Sequence, residues 1–172
     1  KALYVGVSSY PADLTRQASE ILERMGTKLL IHQPRYNMMD RWVEDGLLDE
    51  LERQGAGAIA FSPLSQGILT DKYLKGIPED SRAGKDKRYL KPNQLTKDKL
   101  EKVKQLNIIA KSRGQSLAQM AIAWLLRDDR ITSVLVGASS PEQVCENVKS
   151  IDNLHFSKEE LQTIDRILNN DN

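Results

Sequence analysis

The sequence predicts an α/β fold made of four parallel βα units with additional helices, which is half of the eight units that close a (β/α)8 barrel. Two observations support this prediction. Short apolar runs rich in β-forming residues alternate with longer segments of helical periodicity, and parallel neighbouring strands need such crossover connections. The chain has 172 residues, fewer than the ~250 usual for a complete barrel.

Four apolar runs predict the strands, because each is too short for a helix and is bounded by turn residues. In chain order they cover residues 3–7, 29–33, 58–61 and 133–136. A long polar segment with glycines and prolines follows the third run, from about Ser65 to Leu95. A loop of that length inside a compact domain is usually functional or disordered.

Local signals mark the helix boundaries. Proline at residue 11 suits the first turn of a helix, and glycines follow the predicted helix ends. Three Ser-x-x-Gln/Glu pairs predict reciprocal capping boxes, in which each serine and the residue three positions later cap one helix. The boundary residues are Pro11 and Gly26, Gly55, Thr96 and Gly114, Ser116 with Gln119, Ser140 with Gln143, and Ser157 with Glu160.

An open doubly wound sheet also fits this order of elements, but the glycines argue against it. A dinucleotide site of that fold needs G-x-G-x-x-G after a strand and at the start of a helix. The sequence 55–57, Gly-Ala-Gly, comes before its strand and lacks the third glycine. We therefore expect part of a barrel, with residues 1–172 forming a single region.

Composition excludes several classes of function. A net charge of +1 provides no electrostatic footprint for nucleic acid, and no apolar run approaches the ~20 residues of a membrane span. We expect a cytoplasmic protein. Cys145 cannot form an internal disulfide and falls at an apolar helix position, which predicts an inert core thiol. No cluster has metal-ligand spacing, and His32 and His155 are far apart.

Ligands of parallel βα folds bind at the carboxyl ends of the strands, where helix N-termini also point. The four strand ends here carry hydroxyls, amides and one aromatic ring, in the segments Ser8-Ser9, Gln33 with Tyr36 and Asn37, Phe61-Ser62-Pro63-Leu64, and Gly137-Ala138-Ser139-Ser140. These groups suit a neutral ring with an amide and attached phosphates better than a metal ion. Each also has an ordinary structural interpretation, as an N-cap, a strand end, a loop charge or a core ring.

Four segments of the chain, GVSSY, HQPRYN, SPLSQGILTDKYLKGIPEDSR and VGASSPEQVCENV, resemble the aldo-keto reductases over essentially the whole sequence. The resemblance is closest to the subgroup that contains bacterial aldehyde reductases of methylglyoxal or L-glyceraldehyde 3-phosphate and the β subunits of voltage-gated potassium channels. It implies that the chain is the C-terminal half of an aldo-keto reductase barrel, that the N-terminal half is absent, and that the cofactor is NADP(H).

The resemblance also implies cofactor contacts. Phe61 would stack on the nicotinamide, while Ser8 and Gln33 would bind its carboxamide. The phosphate contacts would come from Ser62, Leu64, Ser65, Gln66 and Gly67 at the pyrophosphate, with Lys72 and Arg82 closing over it, and from Gly137, Ser139 and Gln143 at the 2′-phosphate. Glu146 and Asn147 would bind the adenine. Many relatives have arginine at the position of Gln143, so the preference between NADPH and NADH stays open.

Family members transfer hydride to a small aldehyde or ketone while a tyrosine donates the proton, and the resemblance places that catalytic tetrad in the missing half. None of the chain's tyrosines matches the catalytic position: Tyr4, Tyr10, Tyr36, Tyr73 and Tyr89. We therefore assign no catalytic residue and expect the chain alone to be inactive. A channel-β-like regulatory protein and a structural half-barrel remain alternatives, and we expect a homo-oligomer.

Overall fold

The computed structural model describes residues 2–74, 76–79, 84, 90 and 92–169. The strands are β1 (Val5–Ser8), β2 (Leu29–Gln33), β3 (Gly57–Ala60) and β4 (Ile131–Val134). The α-helices are α1 (Ala12–Arg24), α2 (Leu47–Gln54), α3 (Lys97–Ser112), α4 (Leu117–Leu126), α5 (Pro141–Val148) and α6 (Lys158–Asn169). Short 3-10 helices cover Trp42–Glu44, Ser65–Gly67, Asp71–Tyr73, Pro92–Gln94 and Lys149–Asp152.

The fold class predicted from the sequence is confirmed: the protein is α/β, with four parallel strands and several helices, consistent with part of a (β/α)8 barrel. Strand β2 begins and ends where predicted, while β1, β3 and β4 are each displaced by one or two residues. Pro11 is the N-cap of α1 and not its first helical residue.

The chain divides into two compact units. The first consists of Lys1–Pro63 with Leu125–Gly137, and the second of Leu64–Trp124 with Ala138–Asn172.

The first unit contains the whole sheet, in the order β1-β2-β3-β4, with α1 and α2 packed against one another and against the sheet. Ala58 and Ala60 point their small side chains to the buried face of β3. The core opposite them includes Leu47, Leu48 and Leu51 of α2. Small strand residues let a helix approach the sheet closely, and the burial of these leucines stabilises that contact.

Helix α1 turns a different face inward from the one that its apolar residues suggest. Thr15 and Ser19 are buried, whereas Leu14, Ile21 and Met25 are 44%, 49% and 74% exposed. The hydroxyl of Thr15 donates to the carbonyl of Tyr10 at 3.4 Å, so this buried polar group is satisfied locally. The apolar stripe of α1 is therefore mostly on the surface.

The second unit is helical. Helices α3 and α6 pack together around Val103, Leu106 and Ile164, which are fully buried. The guanidinium of Arg113 lies 3.6 Å from the ring centre of Phe156 and donates to Glu160 Oε2 at 2.9 Å. This contact ties the end of α3 to the start of α6.

Two of the three predicted capping boxes are complete. In the first, Ser116 N donates to Gln119 Oε1 at 2.9 Å and Gln119 N donates to Ser116 Oγ at 3.2 Å. In the third, the same two contacts join Ser157 and Glu160 at 2.8 and 3.2 Å. These local contacts fix the starts of α4 and α6 where the sequence predicts them.

The second box differs from its prediction. Gln143 N donates to Ser140 Oγ at 3.4 Å, as expected. The side-chain oxygen of Gln143, however, accepts from Ser139 N at 2.9 Å and from Ser139 Oγ at 3.2 Å. The glutamine thus reaches one residue further back and orders the loop before α5.

The prediction of a buried thiol at Cys145 is wrong. Cys145 is exposed, and so are the apolar neighbours Val144 and Val148 on the same helix. Apolar periodicity in α5 therefore does not correspond to a core-facing stripe among the described residues.

Candidate cofactor site

The carboxyl ends of the four strands lie at one edge of the sheet in the first unit, because all the strands are parallel. Ser8 and Gln33 are paired in the register of β1 and β2. Ser8 Oγ donates to Gln33 O at 2.8 Å, and Ser9 N donates to the same carbonyl at 3.2 Å. The structure thus brings Ser8 and Gln33 together at this edge.

Phe61 directly follows β3 and lies at the same edge. Its backbone forms a parallel bridge with Arg35: Phe61 N donates to Pro34 O at 2.9 Å, and Tyr36 N donates to Phe61 O at 3.2 Å. The ring is partly exposed. An aromatic face that is held by its backbone and reachable from solvent can stack on a planar ligand ring.

Ser62 continues from Phe61 in a left-handed conformation, with φ of 55°. Ser9, which follows β1, has φ of 57°. Residues other than glycine seldom adopt this region, and such positions often occur at binding sites. Both serines turn the chain sharply at the carboxyl edge, immediately after the residues that the sequence singled out.

The fourth strand contributes Gly137 to the first unit. Leu135 N donates to Ala60 O at 2.8 Å, so pairing with β3 continues one residue past the end of β4. Gly137 is exposed, and a Cβ added to it would meet no described atom within 4 Å. This position leaves open space beside the chain.

In the second unit, the predicted pyrophosphate residues Leu64, Ser65, Gln66 and Gly67 form one tight turn. Ser65 and Gln66 are both left-handed, with φ of 47° and 60°. Gly67 N donates to Leu64 O at 2.8 Å. Glycine is required at residue 67, where φ is 94°.

Lys72 lies on the short 3-10 helix that follows this turn, and it is exposed. Thr70 connects the two elements, since its hydroxyl donates to Gly67 O at 2.7 Å and accepts from Lys72 N at 3.2 Å. The other predicted basic residue, Arg82, lies outside the described residues.

The remaining predicted residues of the second unit lie at α5. Ser139 and Gln143 are joined at the start of the helix by the hydrogen bonds given above. One turn further along, Glu146 Oε2 accepts from Gln119 Nε2 at 3.1 Å, and Glu146 Oε1 pairs with Lys149 Nζ. Asn147 is half-buried beside it. Glu146 therefore has protein partners, which the sequence prediction did not include.

The ionisable side chains at the two ends of α5 match the helix dipole, with Glu142 in the first turn and Lys149 at the C-cap. The hydroxyl of Ser140 and the free backbone N–H at the start of α5 lower the pKa of Glu142, as expected for a carboxylate in the first turn of a helix. At the other end, the carboxylate of Glu146 raises the pKa of Lys149.

Sequence reasoning named Asn37 only as a polar group near the end of β2 and gave it no role. This residue is 2% exposed, and its side-chain Nδ2 donates to Ser62 O at 3.0 Å. The signal was present, because Asn37 lies inside the HQPRYN segment, but nothing in a sequence shows that its partner is a carbonyl 25 residues away.

No three His, Cys, Asp or Glu side chains in the part of the chain that the structure describes are grouped so that they could hold a metal ion. Among the same residues, no helix combines the length and apolar character of a membrane span.

Comparison with known proteins assigns the chain to a family. The model of the aldo/keto reductase family matches residues 1–169. The chain belongs to the aldo/keto reductase family.

Among its curated relatives, the chain is 55% identical over 170 residues to an L-glyceraldehyde 3-phosphate reductase of Escherichia coli O157:H7, a match that covers 96% of this chain and 49% of the relative. It is 37% identical over 175 residues to a putative voltage-gated potassium channel subunit beta of Schizosaccharomyces pombe, covering 98% of this chain and 51% of that protein. The chain spans about half the length of the curated relatives it matches.

Proposed function

We propose that the protein carrying this chain reduces small aldehydes or ketones with NADP(H), and that this chain is the C-terminal, cofactor-binding half of the barrel. The supporting observation is the carboxyl edge of the sheet, where Ser8 and Gln33 end β1 and β2 and Phe61 follows β3. The reductase at 55% identity supports an aldehyde substrate.

The residues at this edge fit a nicotinamide. Phe61 offers an aromatic face, and the side-chain amide of Gln33 can both donate to and accept from a carboxamide. Ser8 Oγ already donates to Gln33 O, and this contact orients the serine lone pairs. When bound, the cofactor would supply the hydride, and these side chains would hold its ring in one orientation.

The start of α5 fits a phosphate. Backbone N–H groups and the hydroxyls of Ser139 and Ser140 lie at the positive end of the helix. The side-chain oxygen of Gln143 now accepts from Ser139 N. A 2′-phosphate bound here would replace that oxygen as the acceptor, and the glutamine amide would become free to donate.

The catalytic acid is not assigned to this chain. Hydride transfer to a carbonyl needs a proton donor near the oxygen, and none of the tyrosines was predicted for that role. Tyr36, which is near the edge in sequence, has its hydroxyl bound to Glu44 Oε1 at 2.6 Å. We propose that residues 1–172 expressed alone bind cofactor without turnover.

The test uses the protein carrying this chain at its natural length. Consumption of NADPH is followed with L-glyceraldehyde 3-phosphate and with methylglyoxal, and NADPH affinity is measured by calorimetry. We expect turnover with at least one aldehyde and binding of NADPH, and the same calorimetry with NADH measures the preference between the two nucleotides. Failure to bind either nucleotide would contradict the proposal.

Phe61→Leu is the informative variant, and the second of the chain's two phenylalanines, Phe156, provides a control. Loss of aromatic stacking should weaken NADPH binding about tenfold. Phe156→Leu is the matched control, since Phe156 stacks on Arg113 in the helical unit. It should leave the affinity for NADPH unchanged.

A regulatory function is the second candidate, and the potassium channel relative supports it. A regulatory protein would bind NADPH tightly and show no turnover with either aldehyde. The same two measurements therefore separate the candidates. A half-barrel with only a structural role would bind no nucleotide.

A further inference from the structure

The segment that follows β2 runs beside the segment that follows β3, beyond the ends of both strands. Three hydrogen bonds join them. Phe61 N donates to Pro34 O and Tyr36 N donates to Phe61 O, as in a parallel sheet, and Asn37 Nδ2 then donates to Ser62 O at 3.0 Å. The third contact therefore comes from a side chain and not from the backbone.

The change occurs where Ser62 adopts its left-handed conformation. This conformation departs from that of a β-strand, and it is unfavourable for a residue with a Cβ. The backbone N–H of Met39 donates to Asn37 Oδ1 at 2.9 Å. The amide of Asn37 thus supplies a side-chain donor to the carbonyl of Ser62.

Asn37 itself is held firmly. It is 2% exposed, and its backbone exchanges two hydrogen bonds with Asp40, at 3.2 Å from Asn37 N and 3.0 Å from Asp40 N. Its side chain uses the carbonyl end for Met39 and the amino end for Ser62. Only an asparagine-length amide offers both an acceptor and a donor at this position, because aspartate lacks the N–H and leucine lacks both.

We propose that Asn37 is a positioning residue for cofactor binding, which fixes the backbone of Phe61 and Ser62 at the carboxyl edge of the sheet. This inference rests on the proposed function, in which Phe61 stacks on the nicotinamide and Ser62 contacts the pyrophosphate. Asn37 acts through its hydrogen bond to Ser62 O, and its amide takes no part in contacting the nucleotide.

The test compares Asn37→Asp with the wild type in the protein at its natural length. Aspartate has the same shape and keeps the acceptor for Met39 N, but it places an oxygen against Ser62 O. Two probes are titrated: NADPH, followed by the change in nicotinamide fluorescence on binding, and adenosine 2′-monophosphate, which has neither a nicotinamide nor a pyrophosphate group and would contact only the residues of α5 and the loop before it.

We expect the Kd of NADPH to rise about tenfold in Asn37→Asp, because a buried donor to a carbonyl is lost. The fluorescence change should also diminish, since the ring is no longer held in one orientation. The Kd of adenosine 2′-monophosphate should stay at its wild-type value. A general loss of folding would weaken the binding of both probes together. The readout is therefore the difference between the changes in their two Kd values.

Asn153→Asp is the matched control. The Nδ2 of Asn153 donates to a backbone carbonyl, that of Arg113, in the helical unit. This variant should bind both probes as the wild type does.

Three results would overturn the inference. Wild-type NADPH binding and fluorescence in Asn37→Asp would show that Ser62 needs no such support. An equal loss of affinity for NADPH and for adenosine 2′-monophosphate would show a purely structural role. If the wild-type protein binds neither probe, the proposed function fails first and the role of Asn37 fails with it.

Discussion

His32 is a fully buried histidine in the middle of β2, and its two ring nitrogens have different surroundings. Nε2 lies 3.0 Å from Tyr10 O, so in the neutral ring the proton is on Nε2 and is donated to that carbonyl. Nδ1 has no hydrogen-bond partner among the described residues. Protonation would place a second N–H at Nδ1 without an acceptor, and burial accordingly lowers the pKa of His32.

The unfolding free energy should therefore depend on pH below the ordinary histidine pKa of about 6.5. The unfolded chain takes up a proton at His32 that the folded chain resists, so stability is complete above that pH and is lost as the pH falls toward the lowered folded pKa. Urea unfolding between about pH 5 and 8 measures this slope. His32→Asn should flatten it, while the exposed His155→Asn should leave it as in the wild type.

Tyr36 is a second buried residue, and its hydroxyl donates to the carboxylate of Glu44. Its side chain is 0% exposed, and burial together with the hydrogen bond to Glu44 raises its pKa. Arg41 Nη2 donates to the same carboxylate at 2.7 Å. Tyr36 and Arg41 thus anchor Glu44 near the end of the segment between β2 and α2.

Tyr36→Phe should lower the unfolding free energy by about 1.5 kcal/mol, the usual contribution of a hydrogen bond to a charged group. The ring volume is kept, so no cavity contributes. Chemical denaturation gives the value. Tyr10→Phe, at a tyrosine that is 42% exposed, should change it by less than about 0.5 kcal/mol, and an equal effect of both variants would refute this interpretation of Tyr36.

At the scale of elements, the pairing of β1 with β2 depends on a glycine. Gly6 pairs with Ile31, and a Cβ at residue 6 would lie 2.8 Å from Ile31 Cγ2 and 2.9 Å from Ile31 O. These distances are shorter than van der Waals contact with both a branched side chain and the backbone. The strands can approach this closely only because residue 6 has no side chain.

Gly6→Ala should destabilise the protein by about 1–3 kcal/mol, as overpacking does in a close-packed interior. Thermal or urea unfolding measures the loss. Gly137→Ala is the control for stability, because a Cβ there meets no described atom within 4 Å. If Gly6→Ala were as stable as Gly137→Ala, the strands would have room to separate.

The elements were largely predictable because their signals are local. Ser116 with Gln119 and Ser157 with Glu160 are three residues apart, so the sequence displays the complete contact. Alternation of strands and helices likewise predicted the parallel sheet. The boundaries of β1, β3 and β4 moved because pairing with a neighbouring strand, and not the apolar run itself, decides where a strand starts and ends.

The site was predicted less completely, for a physical reason. Strand ends placed Ser8, Gln33 and Phe61 at one edge, which topology alone determines. The left-handed serines at residues 9, 62 and 65 could not be foreseen, because serine has no preference for that conformation. Cys145 was predicted as core because apolar periodicity in α5 does not say which face the rest of the molecule covers.

At the scale of the molecule, the sheet has β1 at one edge and β4 at the other, and no further strand pairs with either among the described residues. Parallel strands at an open edge present unpaired backbone groups, which tend to pair with another chain. The apolar residues Leu135 and Val136 next to β4 are 44% and 39% exposed. Both features favour association through the sheet edges.

We therefore expect residues 1–172, expressed alone, to form a homo-oligomer or to aggregate. Light scattering coupled to gel filtration measures the mass directly. A stable monomer would contradict this expectation and would mean that the edges are protected in another way.

The capping boxes also bear on the order in which the molecule acquires its structure. Because each joins residues three positions apart, α4 and α6 can nucleate without any distant partner, on a microsecond timescale or faster. The pairing of β1 with β2 must instead close a loop of about two dozen residues, and parallel pairing of this kind is intrinsically slow. The helices can thus be transiently populated in the nascent polypeptide while the strands that bear the candidate site are still separate.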